Sequence, residues 1–481
     1  MAYQHGVYVN ERETSLVAPL TGTAGLQVII GTAPVNMAAE PYNCTNKPII
    51  AYSYSEAVSN LGYSDNWKDY TICQSVYASF QVLNVAPIIM INVLDPKKHT
   101  KNIADTTLTV SNGQATLKET GVLLDTLVVK KDGSSLNVDS NYTVAFDNDG
   151  YAVITLTGEA TEVVVSGKAL DPSLITASDI VGGYNVATAE ETGLEVIRQI
   201  YPKFAMTPGL LVAPGWSHIP TVAAALQAKT TGINEAFSCQ CICDIDSTTT
   251  GATKYTDVKE KKEKTGLDSV NCLPIWPCAK VGDKVFWGSA IAAALTAYTD
   301  AQNDDIPNLS PSNKTCHLTA ACLADGSEIV LDQSRGNLLN SYGVTTFVSN
   351  DGYRLWGGRT AAYPTNTDPK DMWFSCRRFF SWRENGFIRT YAQKVDKNAD
   401  KRLIQTICDS ENIIGNGYVA KGYCAGDRIT FSTDENPATE ILNGTIQFHH
   451  YLAPWTPAHV IKNTFEFDVD ALMTSLAGGA N

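Results

Sequence analysis

Several things are missing from these 481 residues, and each absence closes a door. Basic charge is not in excess: 36 Lys and Arg stand against 50 Asp and Glu, a net charge of −14. The broad positive field that a general nucleic-acid binder needs is therefore absent. No apolar run approaches the roughly 18 residues of a membrane span; the best stretches, 87–94 and 289–298, are far too short. The opening Met1-Ala-Tyr-Gln-His-Gly6 has neither a basic nor an apolar export segment, so folding in a cytoplasm is expected. The twelve cysteines lack the Cys-x-x-Cys pairs of a zinc site. No Gly-x-Ser-x-Gly elbow occurs, and the glycine-rich 415–422 lacks the Gly-Lys-Ser/Thr ending of a phosphate loop.

What is present is enough apolar material for a large core. Hydrophobic residues make up 44% and charged residues 18%, and the length suggests about three structural units. The stretch 26–31 reads as a buried strand, 55–61 and 69–83 carry helical spacing, and 87–94 is again a buried strand. Strand, helix, strand is the mark of a parallel βαβ unit. The composition then changes: no proline occurs between Pro96 and Pro172, no cysteine between Cys73 and Cys239, no tryptophan between Trp67 and Trp216. Alternating Thr/Val runs at 107–110, 127–129, 142–146, 152–156 and 161–165 predict short strands. Asn112-Gly, Asp132-Gly and Asp147-Asn-Asp-Gly150 supply the turns. An all-β unit set into an α/β framework is the expectation.

The α/β rhythm resumes with predicted helices at 188–200, 221–231, 257–264 and 288–298. Between and after them, strands are expected at 209–213, 236–244 and 271–276, giving a layered α/β sandwich. Further on, 343–349 and 352–356 read as extended and 371–391 as a long helix. A second helix, 400–414, is expected to stop at Gly415-Asn-Gly417. Extended runs are expected at 441–452 and 460–469.

Chemistry is thinly signalled. Cys239-Gln-Cys-Ile-Cys243 would place three thiols on one face of a strand. That leaves room for a soft metal, although buried free cysteines acting as small hydrophobes are the preferred reading. A serine hydrolase would have to use Ser217, His218 and Asp244, which lie near predicted strand ends without a nucleophile elbow. His449 and His450, adjacent in a strand, point to opposite faces and do not form a paired metal site. No catalytic residue, cofactor or metal is assigned.

The termini stand out. Phe465, Phe467 and Val469 alternate with Glu466, Asp468 and Asp470, and Val7 and Val9 flank Tyr8 in the same pattern. Lone strands of this kind need a sheet to join, either their own or that of a neighbouring subunit by strand addition.

Read in order, the landmarks resemble the tail sheath proteins of contractile phage tails and related injection machines, the temperate-phage type in particular. Gly6-Val-Tyr-Val-Asn-Glu11 and Val28-Ile-Ile-Gly-Thr-Ala-Pro34 are similar to that family's opening. Gly343-Val-Thr-Thr346, Asp351-Gly-Tyr-Arg-Leu-Trp-Gly-Gly-Arg-Thr360 and Arg377-Arg378 resemble its most recognisable stretch. Leu273-Pro-Ile-Trp-Pro277 and Tyr451-Leu-Ala-Pro-Trp-Thr-Pro457 fit as well. The resemblance implies an α/β fold: a subtilisin-like α/β sandwich without a catalytic triad, carrying an inserted all-β domain and extended terminal arms. The expected division is 1–20 (arm), 21–96 (α/β, first part), 97–176 (inserted β domain), 177–360 (α/β core), 361–459 (α+β) and 460–481 (arm).

It also implies a virion tail component, assembled in a bacterial cytoplasm, that stacks as hexameric rings around a tube and contracts. Expected partners are neighbouring sheath subunits, the inner tail tube protein, and baseplate and tail terminator proteins. Neither direct nucleic-acid contact nor membrane insertion is expected. Strand pairing between subunits would fall on Val7, Tyr8, Val9, Phe465, Phe467 and Val469. Arg354, Arg359, Arg377 and Arg378 are candidates for interface contacts or for ion pairs within the subunit. A serine-type α/β hydrolase with a β accessory domain is the alternative function. A cell-surface glycan-binding protein is a third reading, which export or disulfides would favour.

Overall fold

The computed structural model describes residues 20–21, 23–147 and 149–477. Its centre is a six-stranded sheet made of β1 (Gln27–Gly31), β2 (Pro48–Ala51), β3 (Ile88–Asn92), β4 (Leu210–Val212), β5 (Gln240–Asp244) and β6 (Cys272–Ile275), in the order β6-β5-β4-β1-β3-β2. All neighbours are parallel except β2, which runs antiparallel to β3 at one edge. Strands β1, β3, β4 and β5 are buried at every position, as expected of parallel strands covered on both faces. Proline sits only in the two edge strands, at Pro48 and Pro274, where a missing N–H leaves no ladder bond open.

Helices α1 (Pro220–Ala228), α2 (Val258–Thr265) and α3 (Gly288–Ala301) follow β4, β5 and β6 in the chain. Helix α3 is apolar almost all round and buried almost all round, which its composition requires. The main apolar cluster runs from Leu26 to Phe374 and holds the sheet and these helices together.

Directly after β3 the chain builds two small antiparallel sheets. One pairs Tyr142–Phe146 with Ala152–Leu156 and the latter with Gln114–Leu117; the other is built on Thr100–Thr109, Glu162–Leu170 and Val128–Lys131. They share a separate apolar cluster that includes Val129, Tyr142, Ile154 and Val165. At Asn112-Gly113 both residues have positive φ (51° and 77°), and Ser111 and Gln114 exchange both backbone hydrogen bonds. The Asn-Gly pair thus makes the tight reversal expected of it.

Beyond α3, Thr346–Ser349 and Tyr353–Trp356 form a hairpin. Helices α4 (Phe374–Tyr391) and α5 (Lys401–Ala420) then pack with a second hairpin, Cys424–Thr430 against His449–Pro454. A mixed α/β chain with several sheets is therefore what the sequence folds into.

Four local expectations need correction. The helix expected over 188–200 is a hairpin (Gly183–Asn185 with Glu190–Thr192), a 3-10 segment (Gly193–Gln199) and a short helix (Ile200–Phe204). The Gly193 N–H is captured by the Asn46 side chain at 2.9 Å, and the apolar spacing is buried by the tighter 3-10 turns instead. Helix α5 does not stop at Gly415 but runs on to Ala420. Part of the extended run expected over 441–452 is helix, Ala438–Leu442. Among the described residues, 455–468 pair with no strand, and Val469 opens a helix, Val469–Ala477, whose first turn is capped by the Asp468 carboxylate accepting from the Ala471 N–H at 2.8 Å.

Candidate functional site

The hydrolase reading is tested first by its nucleophile. Ser217 is fully buried, and its hydroxyl donates to the Asp244 carboxylate at 2.7 Å rather than to an imidazole. Asp244, at the end of β5, also accepts from the backbone N–H and the hydroxyl of Ser289 in the first turn of α3. The three residues form a structural clamp between strand and helix, with the carboxylate at the favourable end of the helix dipole. Burial outweighs those hydrogen bonds and pushes the Asp244 carboxyl up to about 6. His218 stacks flat on Trp287 with ring centres 4.6 Å apart, and its buried Nδ1 has no partner among the described residues. Burial holds its imidazole below the ordinary histidine range. The cleft near these strand ends is walled by Trp67, Trp216 and Trp287, with Lys284 paired to Asp65, and no histidine among the described residues lines it. A nucleophile sealed on a carboxylate cannot run acyl transfer.

The thiols regroup. Cys239 lies just outside β5, and the residue that joins Cys241 and Cys243 is Cys272 of β6, paired in register with Cys241. The three sulfurs lie within 4.8 Å of one another and are buried. Burial opposes ionisation at Cys272, but the two neighbouring thiols and the Lys262 ammonium outweigh it and pull that thiol down. Lys262 is itself buried, donating to the carbonyls of Tyr342, Ala361 and Tyr363. His449 and His450 turn to opposite sides, toward Glu435 at 3.0 Å and Asp427 at 2.6 Å.

The four arginines have different settings. Arg354 donates to the carbonyls of Asn350 and Asn313. Arg359 lies over the Tyr363 ring at 3.8 Å and the Trp373 ring at 4.7 Å, and it contacts His459. Arg377 pairs with Asp371 and Glu384. Arg378, 2% exposed, makes a two-pronged bond to the fully buried Asp300 of α3. A second buried network escaped the sequence reading: Arg383 of α4 bonds Glu411 of α5 and Asp427 of the hairpin, both at 2.8 Å, and His450 completes it. Its members are 28 and 44 residues apart in sequence, so no local pattern could have joined them.

The C-terminal segment is the exposed apolar feature. Trp455 donates to the Gly422 carbonyl, and His459 packs edge-on against Trp373 at the head of α4. From Val460 to Ala477 the side chains lie open: Phe465 is 91% exposed, Phe467 74% and Val469 57%. Leu472, Met473 and Leu476 on the following helix are exposed too. Val7, Tyr8 and Val9 lie outside the described residues. Leu20–Thr21 pairs in parallel with Val85–Ala86.

No protein-family model matches the chain. Along 99% of its length it is 27% identical to the tail sheath protein of Burkholderia phage BcepMu, of which 99% is covered. A chain in the cryo-EM structure of the anti-feeding prophage baseplate superposes with a TM-score of 0.60 at 13% identity, covering 98% of this chain and 100% of that one. The sheath complex of the PVC extracellular contractile injection system, in its contracted state, gives a TM-score of 0.57 at 13% identity, covering 98% and 99%. The resemblance to contractile tail sheaths read from the sequence is borne out.

Proposed function

We propose that this homologue of tail sheath proteins is itself a structural sheath subunit, not an enzyme: it polymerises around a tail tube and contracts to drive the tube through a target envelope. The observation that carries this is the end-to-end alignment with a tail sheath protein, at 99% of both chains. The likeness extends to the fold, over 98% of the chain, in two contractile assemblies.

In this reading the subunits stack as hexameric rings in a phage tail or phage-like particle made in the host cytoplasm. They meet the baseplate at one end, a terminator at the other and the tube inside. The core is a subtilisin-like sandwich without its triad, which the parallel sheet and the sealed Ser217 support. Residues 97–176 are a surface domain, and their separate apolar cluster supports that division.

Residues 1–20 and 460–481 act as arms that add strands to neighbouring subunits. Phe465 and Phe467, exposed and in no strand among the described residues, support this, since such residues gain most by joining a sheet. Arms that connect different surfaces of successive subunits propagate helically instead of closing. Contraction is then a rigid-body change between two packings with the arms kept paired. Arg354, Arg359 and Arg377 lie at or near the surface as interface candidates, whereas Arg378 serves within the subunit.

Negative-stain electron microscopy of the purified chain is expected to show striated hollow cylinders. A variant lacking residues 1–20 should stay folded and soluble without forming them. Long tubes from the truncated chain would overturn the arm assignment.

A further inference from the structure

Cys241, Cys243 and Cys272 form a compact triangle that the sheath function leaves unused. Their Sγ atoms all lie within 4.8 Å of one another, with Cys241 and Cys243 3.9 Å apart. A metal bonded to thiolates at about 2.3 Å holds its sulfurs roughly 3.8 Å apart in a tetrahedral site and roughly 4.0 Å apart in a planar three-coordinate one. The triangle therefore has room for a metal at its centre once each sulfur draws in by less than about half an ångström.

The backbone prepares this placement. Positions 241 and 243 share a face of β5 by strand alternation, and the parallel register sets Cys272 of β6 beside Cys241. The site is dry, all three residues being 0% exposed. Among the described residues no His, Asp, Glu or further Cys joins the three: the nearest carboxylate in the strand, Asp244, falls on the opposite face and is committed to Ser217 and Ser289. Charge is partly balanced in advance. The buried Lys262 ammonium, held by three carbonyls, acts electrostatically on Cys272.

We propose that these three thiols bind one thiophilic d10 metal ion as thiolates, and that the ion is Cu(I). Closed zinc sites take four ligands, whereas soft Cu(I) is suited to a thiolate-only set. Binding releases the thiol protons to solvent and ties β5 to the edge strand β6 inside the core.

The test uses the full chain, kept reduced and oxygen-free, titrated with Cu(I) against the competing chelator bicinchoninate. One equivalent should bind tightly, and X-ray absorption of the bound copper should show three sulfur neighbours at a single distance. Cys243→Ser or Cys272→Ser should weaken uptake at least tenfold, while Cys239→Ser should leave it unchanged. Equal uptake by wild type and the Cys243→Ser variant overturns the proposal, as does a copper spectrum with fewer than three sulfurs. Binding of Zn(II) but not Cu(I) overturns the choice of ion. If the substituted chains fail to fold by circular dichroism, the wild-type absorption spectrum decides alone.

Discussion

Arg378 and Asp300 join α4 to α3 through a bidentate pair from which water is excluded. Breaking such a pair from one side strands a charge in the core and costs about 3–5 kcal/mol, whereas replacing both partners with apolar residues of similar volume is often neutral. Arg378→Ala should therefore lower the urea-unfolding free energy by that amount, and the double variant Asp300→Leu, Arg378→Met should recover most of it. Asp244 makes a different test. Its carboxyl titrates at about 6 in the fold against an ordinary 3.8, so the folded state holds the proton more tightly than the unfolded chain. The stabilisation is complete below about pH 4 and is lost as pH rises through about 6. A difference of this size corresponds to about 3 kcal/mol. Asn keeps an acceptor for Ser289 N–H and can donate to the two hydroxyls. Thermal melts should thus show Asp244→Asn gaining on wild type between pH 4 and pH 7.

Helix α5 shows why glycine alone does not mark a helix end. A Cβ at Gly415 would lie 2.3 Å from the Asp427 carbonyl oxygen, so this glycine lets helix and hairpin touch; a Cβ at Gly417 would meet nothing within 4 Å. Gly415→Ala should destabilise by about 1–3 kcal/mol through overpacking. Gly417→Ala should stabilise by about 1 kcal/mol through helix propensity, and chemical denaturation of the two variants should move in opposite directions.

The same contrast explains what could be read in advance. Strands β1 and β3 were legible from their short apolar runs, Val28–Ile30 and Ile88–Ile91, and the Asn112-Gly113 turn because its dihedral demand is local. Helix α3 was legible because its long apolar run has room only in a core. The Arg383–Glu411–Asp427 network was not, because its members meet only after α4, α5 and the hairpin have packed. Cys272 could not be assigned to the other thiols without the β5–β6 register. At 465–470 the alternation marked the exposed apolar residues, but the helix-capping Asp468 competed with it and turned Val469 into a helix start.

At the scale of the whole molecule, residues 460–477 bury little of themselves against the rest of the chain. Phe465→Asp with Phe467→Asp should leave the melting temperature of the subunit within error of wild type, because neither ring is buried. The same double variant should abolish tube formation, as judged by sedimentation and electron microscopy.

The root of that segment has a mechanical consequence. His459 and Arg359 clasp Trp373 where α4 begins, and the helix then runs 18 residues, about 27 Å, with Arg378 and Arg383 riveting it to α3 and to the hairpin. Tension applied beyond residue 460 thus enters at one end of a stiff rod whose rivets are buried charges. A pull on the tail should therefore turn α4 together with α3, α5 and the hairpin that those charges fasten to it.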